Sequence, residues 1–298
     1  MVKHLQRPNV GGAIPDPVDL VVAEDSCKCL TIDASVSVVA AYYVKTRAMN
    51  LILFEKPFES VQLHARDKRA LHLRKVLHAR VGSLVYVGFV NSLRAHTEVV
   101  AVSPEGAYEL KVISTEPAPE LLPIHLLIGL PRPHAARHIL FEAASLGVSS
   151  LHFFQAEKSE PSYAKSRLWQ TDEWRDRTLR GTEQAFGTHL PQVERYSDMQ
   201  SAMEAQTGSS IKIALDNYEA SDSLNAISLG EYDAVTIAIG PERGWSADER
   251  VVFRKNEWLL AHMGPHVMRT ATACVAATAA LASKFDFWRR QSRQDCEF

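Results

Sequence analysis

The pattern of hydrophobic and polar positions changes near residue 123 of the chain. Downstream of Pro123, short continuous apolar runs alternate with longer stretches in which apolar residues recur at helical spacing. Such alternation is typical of a mostly parallel sheet with helices on both faces. The predicted strands are Ile124–Leu130, Val148–Phe154, Ile211–Leu215, Ala234–Ile239 and Trp258–His262, and the predicted helices are Ala135–Leu146, Trp169–Ala185, Ala247–Asn256 and Thr270–Trp288.

Upstream of that point, short β-segments are separated by polar turns, which predicts a small barrel. The segments are Leu51–Phe54, Leu84–Phe89, His96–Ser103 and Tyr108–Ser114. Three prolines in the stretch from Thr115 to Pro123 predict a linker between the barrel and the α/β part.

A basic, partly helical segment, residues 64–80, lies between the first two β-segments. It contains six Lys or Arg residues and three His residues against one Asp. A run of this kind is either a solvated helix face or a surface for nucleic-acid phosphates. A nucleic-acid signal elsewhere in the chain would favour the phosphate-binding interpretation of this segment.

Length and composition restrict the class of protein. A chain of 298 residues with 46% hydrophobic residues, 23% charged residues and a net charge of −2 is typical of a globular protein of about two domains. No window reaches the roughly 18 uninterrupted apolar residues of a membrane span. Four scattered cysteines do not form a disulfide scaffold, so we expect a reducing, cytoplasmic location.

We expect four segments along the chain: an extension (1–48), a barrel (49–118), an α/β domain (119–290) and a tail (291–298). The first segment begins with prolines and glycines and shows no domain pattern. We interpret it as a poorly ordered extension or as an upstream misread, with Met49 as the true initiator.

The loops that follow the predicted strands are the places where an α/β sheet binds ligands. One of them contains Gly240-Pro241 and Gly244, followed by Ser246 and Glu249 at the spacing of a capping box. A second contains Gly264-Pro265 before an Ala-rich helix, and a third follows Ala214. Glycines at such positions let a ligand approach the backbone closely, although they also serve turns.

Other chemical motifs are weak or missing. His134 and His138 are four residues apart, but no third metal ligand is near, so we expect no metal and favour RNA contact. Cys27-Lys-Cys29 has no partner pair for zinc. The chain has no Gly-x-Ser-x-Gly, P-loop or Gly-x-Gly-x-x-Gly sequence, which argues against hydrolases, P-loop enzymes and dinucleotide-binding enzymes.

Two loop sequences together carry a specific resemblance. Ile239-Gly-Pro-Glu-Arg-Gly-Trp-Ser-Ala-Asp-Glu249 and Met263-Gly-Pro-His-Val-Met-Arg-Thr-Ala-Thr-Ala273 resemble the paired signature of the bacterial 16S rRNA (uracil-1498-N3)-methyltransferases of the SPOUT superfamily. The resemblance runs from Met49 to about Trp288. It includes the basic segment His72–Gly82, Leu146-Gly-Val148, Glu157-Lys-Ser159 and Glu183-Gln184 before Leu190-Pro191.

The resemblance implies a PUA-like RNA-binding barrel, an α/β domain with a deep trefoil knot, a homodimer and S-adenosylmethionine as cofactor. The implied substrate is 16S ribosomal RNA or the assembled small ribosomal subunit, methylated at uracil N3. It also implies a set of cofactor-binding residues: Leu215, Asp216, Asn217, Ile239, Gly240, Pro241, Glu242, Gly244, Met263, Gly264, Val267, Met268, Arg269 and Thr270.

Arg269 and Glu242 are the candidate catalytic residues. Uracil N3 carries a proton, so a base or a cation that stabilises the developing anion is required. Arg269 suits stabilisation of charge on the carbonyl oxygens. Glu242 is either the base or a structural residue. The expected RNA contacts are Arg66, Lys68, Arg69, Arg74, Lys75, Arg80, Arg132 and Arg243.

Three positions depart from the family pattern. Ala271 occupies a position that is commonly acidic, Arg243 one that is commonly glycine, and His78 one that is usually arginine. These departures motivate two alternatives: an RNA-binding paralogue that transfers no methyl group, and a methyltransferase of the same fold with another RNA target.

Overall fold

The computed structural model describes residues 51–206, 208–228 and 230–288. All of them lie within one compact unit, 46–298. The expected extension 1–48, including Met49 as initiator, and the expected tail 291–298 lie outside the described residues. Within the described part of the chain, no helix is long and apolar enough to cross a membrane.

Residues 51–116 form a curled five-stranded sheet in the order β1-β3-β4-β5-β2. Its strands are β1 (Leu51–Phe54), β2 (Ser60–Leu63), β3 (Leu84–Phe89), β4 (Arg94–Val102) and β5 (Tyr108–Glu116). β1 pairs with β3 in parallel, the remaining pairs are antiparallel, and β4 has two register irregularities against β5. Such irregularities increase local twist and bend a sheet, which accounts for its curl. The sequence pattern missed β2, a four-residue strand in which Ser60 and Gln62 are exposed and polar.

The basic segment does contain a helix, α1 (Lys68–Lys75). Asp67 caps it by accepting a hydrogen bond from the Arg69 backbone N–H. Ala70 and Leu73 are fully buried in the core of the curled sheet, while the basic side chains face outward or lie along its surface.

Residues 122–262 contribute a second sheet, in which all seven strands are parallel. The strand order is β10-β12-β9-β11-β6-β7-β8. The strands are β6 (Leu122–Gly129), β7 (Val148–Phe154), β8 (Gln192–Tyr196), β9 (Ile211–Leu215), β10 (Asp222–Ser223), β11 (Val235–Ile239) and β12 (Leu259–His262).

Helices cover both faces of this sheet. They are α2 (Pro133–Ser145), α3 (Arg167–Gln170), α4 (Glu173–Gln184), α5 (Met199–Glu204), α6 (Ala247–Lys255) and α7 (Thr270–Lys284), with 3₁₀ turns at Pro161–Lys165 and Leu224–Ala226. Leu126 and Ile128 face one apolar cluster, whereas the intervening Leu127 faces another. This alternation explains why the strands are apolar on both faces in the sequence.

The structure corrects several predicted bounds. The helix expected from Trp169 to Ala185 is two helices, because the chain turns at Thr171 and Asp172. The last helix ends at Lys284 and continues only as turns. The expected linker shrinks to 117–121, since β5 and β6 extend into both of its ends. β8 was missed because it is a polar edge strand with little burial.

Candidate functional site

Three loops meet at the carboxyl edge of the parallel sheet. They follow β9, β11 and β12, which are neighbours in the sheet although other elements separate them in the chain. Together they enclose a cleft of about 360 Å³. Its lining residues are Leu215, Asp216, Asn217, Tyr218, Ile239, Gly240, Pro241, Glu242, Arg243, Gly244, Trp245, Met263, His266, Val267, Met268, Arg269, Thr270 and Ala273.

This lining includes the cofactor-binding residues expected from the sequence, apart from Gly264. Gly264 instead has a left-handed backbone (φ +97°), and its N–H donates to His262 Nδ1 at 3.1 Å. Only glycine adopts that conformation without strain, so Gly264 shapes the turn from which the neighbouring residues reach the cleft.

Two hydrogen bonds tie the three loops together. The Thr270 hydroxyl donates to the Gly240 carbonyl oxygen at 3.2 Å, which joins the loops after β12 and β11. The Trp245 indole N–H donates to the Leu215 carbonyl oxygen at 2.9 Å, which joins the loops after β11 and β9. The two Gly-Pro segments therefore border one site rather than two.

The loop after β11 depends on its glycines. Gly244 has φ +65°, and its N–H donates to the Pro241 carbonyl oxygen at 2.8 Å, which closes a tight turn. A Cβ atom on Gly240 would lie 3.2 Å from the Gly244 Cα, and one on Gly129 would lie 2.6 Å from the Pro241 Cδ. The backbone is therefore packed too closely for side chains at these positions.

The helix that follows this loop begins with the capping box expected from the sequence. Ser246 accepts from the Glu249 N–H at 3.0 Å, and Glu249 accepts from the Ser246 N–H at 2.8 Å. The same carboxylate also accepts from the Glu157 N–H at 3.0 Å, and the Lys158 ammonium donates to the Trp245 carbonyl oxygen at 2.7 Å. The Glu157-Lys-Ser159 segment thus braces the cleft loop from behind.

Asp216 lines the cleft, but its carboxylate is already engaged. One oxygen accepts from the N–H groups of Tyr218 and Glu219 at 2.7 and 2.6 Å, and the other accepts from Arg250 Nε at 2.6 Å. The Asp216 and Arg250 side chains are 1% and 8% exposed. Asp216 therefore holds the loop in shape, and it presents its backbone, not a free carboxylate, to a ligand.

Glu242 has a defined contact of its own. Its Oε1 accepts from the Arg132 backbone N–H at 2.9 Å, immediately before α2. The N-terminus of α2 has no other side-chain cap, and Pro133 at its first position lacks an N–H group. A carboxylate at a helix N-terminus is stabilising. The geometry thus supports the structural alternative for Glu242.

Arg269 and Arg243 provide the positive charge at the rim. Arg269 is the residue before α7, its side chain is exposed, and no ion-pair or hydrogen-bond partner for its guanidinium occurs among the described residues. Arg243 is likewise exposed on the loop after β11. Both guanidinium groups are available to a substrate that enters the cleft.

The remaining basic residues expected to contact RNA lie in or beside α1, apart from Arg132. Lys68 and Arg69 line a separate cavity of about 810 Å³, between β1, α1 and α4. Arg69 is paired with Asp67 at 2.7 Å and lies 4.3 Å from the centre of the Phe54 ring, so much of its bonding capacity is used within the chain. Arg66, Arg74, Lys75, Arg80 and Arg132 are exposed, and Arg74 donates to the Glu105 carbonyl oxygen at 3.4 Å.

The two parts of the structure contact each other beside this second cavity. The Leu53 N–H in β1 donates to Glu183 Oε1 in α4 at 3.0 Å. Burial raises the pKa of the Glu183 carboxyl above its usual range, a shift opposed by that hydrogen bond. Glu183, one of the residues of the family resemblance, thus connects the curled sheet to the α/β part.

His134 and His138 contact each other through their rings, whose centres are 4.6 Å apart. Within 51–206, 208–228 and 230–288, no group of three or more His, Cys, Asp or Glu residues has a geometry that could hold a metal ion. The pair lies on α2, the helix that Glu242 caps.

Sequence reasoning missed four cleft residues: Tyr218, Trp245, His266 and Ala273. Trp245 had a signal, because a large apolar residue directly after Gly244 is expected to anchor the loop; it is 1% exposed and stacks at 6.0 Å on Phe154. Ala273 follows Thr270 by one helical turn. Tyr218 and His266 lie in irregular loops, where the sequence pattern does not predict which way a side chain points.

Sequence comparisons show which proteins the chain is related to. Residues 118–282 match the model of the RNA methyltransferase domain family. The chain is 33% identical over 260 residues to ribosomal RNA small subunit methyltransferase E of Treponema pallidum (strain Nichols), an alignment that covers 82% of this chain and 94% of the relative. The protein of Borreliella burgdorferi named ribosomal RNA small subunit methyltransferase E 1 is 26% identical over 238 residues, or 79% of this chain and 98% of the relative.

Structural comparisons extend the similarity to the fold. Ribosomal RNA small subunit methyltransferase E from Neisseria gonorrhoeae, solved with bound S-adenosyl methionine, matches with a TM-score of 0.66 and 18% identity over 79% of this chain and 97% of its own. A putative methyltransferase from Legionella pneumophila, solved with the cofactor SAM, matches with a TM-score of 0.68 and 18% identity over 78% and 96%. At such identities the match establishes a shared α/β fold.

Proposed function

This chain belongs to the ribosomal RNA small subunit methyltransferase E family of RNA methyltransferases, and we propose that it methylates N3 of a uridine in 16S ribosomal RNA with S-adenosylmethionine as donor. The observation that carries the proposal is the single cleft formed by the loops after β9, β11 and β12, with two unpaired arginines at its rim. The target nucleotide, uracil-1498, is taken from the family resemblance.

The chemistry of the cleft fits this cofactor. Its walls include apolar side chains for an adenine ring, among them Leu215, Ile239 and Met263. Gly240 and Gly244 have no side chain that would separate a ligand from the loop backbone. When bound, S-adenosylmethionine supplies a methyl group on a sulfonium, which is already activated for transfer and needs no metal.

In the proposed mechanism, the N3 proton of uracil passes to water at the open mouth of the cleft, and Arg269 stabilises the negative charge that develops on the uracil carbonyl oxygens. A permanently charged guanidinium suits this role, and Arg269 has no carboxylate partner among the described residues. Glu242 keeps α2 in place through Arg132 and is not the general base. Arg243 is a second phosphate or carbonyl contact.

RNA would be held partly by the basic residues around α1, which makes binding sensitive to salt. Their phosphate contacts position the RNA, whereas base selectivity comes from the cleft. The curled sheet supports the inferred PUA-like barrel. The inferred trefoil knot is supported by the strand order, since β12 follows β11 in the chain but lies beyond β9 in the sheet.

We also propose a homodimer in which α7 contributes to the interface. One side of α7 is buried in its own chain through Cys274, Ala277 and Leu281. Its other side carries small, half-exposed residues such as Ala276 and Ala279, which permit close approach of a second chain. A monomer in sedimentation at micromolar concentration contradicts this arrangement.

One alternative is an RNA-binding protein of the same fold without methyl transfer. It is motivated by Ala271, which is half-buried in the first turn of α7, and by His78, which has a left-handed backbone (φ 50°) on the exposed end of the basic segment. Calorimetry with S-adenosylmethionine distinguishes the two functions. Absence of binding at millimolar cofactor favours the RNA-binding protein, because a methyltransferase must bind its methyl donor.

The proposal is tested with small ribosomal subunits from a strain that lacks the gene for this chain. The purified protein is incubated with these subunits and isotope-labelled S-adenosylmethionine, and the RNA is digested and examined by mass spectrometry. We expect one N3-methyluridine per subunit. Label at another nucleotide supports a different RNA target, and no label in the presence of bound cofactor refutes the activity.

A further inference from the structure

The rim of the cleft contains an aromatic side chain that the proposed chemistry has not used. Tyr218 lines the cleft, yet 79% of it is exposed, which is unusual for a large aromatic residue. Deeper in the same cleft, Trp245 and Ile239 are 1% and 3% exposed. Tyr218 thus lies at the mouth and not in the interior.

Two contacts position Tyr218 on its loop. Its backbone N–H donates to Asp216 at 2.7 Å, and the Arg250 guanidinium carbon lies over the ring, 5.2 Å from its centre. Arg250 itself is buried and paired with Asp216. The guanidinium of a buried cation therefore lies on one side of the ring, and most of the side chain is open to solvent. The exposed ring is accessible to a planar group that stacks on it.

The size of the cleft decides which group stacks there. A volume of about 360 Å³ is near the lower end of the roughly 300–1,000 Å³ that is typical of pockets for one small ligand. A methyl donor bound in a cleft of this size occupies most of its interior, which leaves the open mouth for the acceptor base. The base must approach from the mouth, where Tyr218 and the exposed guanidinium of Arg269 lie.

The geometry points to Tyr218 as the residue on which the acceptor nucleobase of the RNA stacks, an inference that rests on the proposed function. The open face of the ring receives the base plane, while Arg269 contacts the base edge. Stacking of a nucleobase on an aromatic ring contributes roughly 1–3 kcal/mol and does not depend on base identity. Tyr218 therefore orients the base, and the edge contacts select it.

The test compares Tyr218→Ala, Tyr218→Phe and Tyr218→Trp with the wild type. Substrates are small ribosomal subunits that lack the modification, and the affinity for S-adenosylmethionine is measured separately by calorimetry. We expect Tyr218→Ala to raise the KM for the subunit between about fivefold and about 150-fold, with cofactor affinity within twofold of wild type. Tyr218→Phe and Tyr218→Trp keep an aromatic face and should stay within about threefold of wild type.

Tyr232→Ala is the matched control, because this tyrosine is also exposed (44%) but does not line the cleft. Thermal unfolding of each variant verifies that the loop remains folded. If Tyr218→Ala weakens cofactor binding and leaves the KM for RNA unchanged, the ring stacks on the adenine and the inference is wrong. Equal activity of all variants also overturns it, whereas a wild type that methylates no RNA refutes the proposed function itself.

Discussion

Substitution of Glu242 distinguishes a helix cap from a general base. In the wild type, the Glu242 carboxylate accepts from the Arg132 N–H at 2.9 Å. Glu242→Gln keeps an oxygen that can accept this hydrogen bond, whereas Glu242→Ala removes the acceptor. Loss of a helix cap costs about 0.5–2 kcal/mol, and α2 has no second side-chain cap to compensate. Loss of charge alone at a helix N-terminus costs roughly 0.3–1 kcal/mol. We therefore expect Glu242→Ala to lower the free energy of unfolding by about 1–2 kcal/mol and Glu242→Gln by less than half of that.

The rate of methyl transfer tests the same assignment of Glu242 independently of stability. If Glu242 is only a cap, Glu242→Gln should retain methyl transfer within about threefold, because a general base contributes roughly 10²–10⁴-fold. The assays are urea denaturation for stability and single-turnover methyl transfer for rate. Glu231→Gln, an exposed glutamate that does not line the cleft, is the matched control. A loss of 100-fold or more in Glu242→Gln with unchanged stability refutes the capping role and restores Glu242 as the base.

Three further predictions follow from the structure. Arg269→Ala should lower kcat by roughly 10²–10³-fold, while the affinity for S-adenosylmethionine in calorimetry changes little. A selective loss of cofactor affinity, or an equal loss of kcat in Arg243→Ala, contradicts the catalytic role of Arg269. Burial lowers the pKa of His152 from 6.5 to about 4, so the stability present above pH 6.5 should decrease as the pH falls towards 4. Urea denaturation of His152→Asn should show a weaker dependence, since His125, whose pKa burial also lowers, remains; an unchanged slope is the contrary result. Gly181→Ala places a Cβ atom 2.2 Å from the Phe141 carbonyl oxygen, so thermal unfolding should show a loss of about 1–3 kcal/mol, whereas a stabilised variant contradicts the close contact of α4 with α2.

Much of the architecture could be predicted from local sequence. Apolar runs identified β6, β7, β9, β11 and β12, because a strand buried on both faces has few polar positions. The Ser246 and Glu249 capping box was readable since both partners lie within one helical turn. The Gly-Pro segments marked two of the three loops that form the cleft, because glycine and proline act through their own backbone geometry.

Exposed edge elements were not predictable in this way. β2 alternates polar and apolar residues, but over only four residues, and β8 is mostly polar with no buried residue, so neither has a pattern long enough to distinguish it from a loop. The break between α3 and α4 was also missed, although the polar residues Thr171, Asp172 and Glu173 interrupt the helical spacing of apolar residues there.

By itself, the sequence determined most of the buried strands and the helices that cover them, and it marked two of the loops that form the cleft. Only the tertiary structure decided what the polar side chains of those loops do. Asp216 is neutralised by Arg250, 34 residues away, and Glu242 is bound to a backbone N–H 110 residues away. Tyr218 lies beside the buried Arg250 and is left exposed at the rim. Hydrogen bonds and ion pairs act between groups that are close in space. The crossovers between parallel strands bring together residues that are far apart in the chain, so local sequence does not show which of them are in contact.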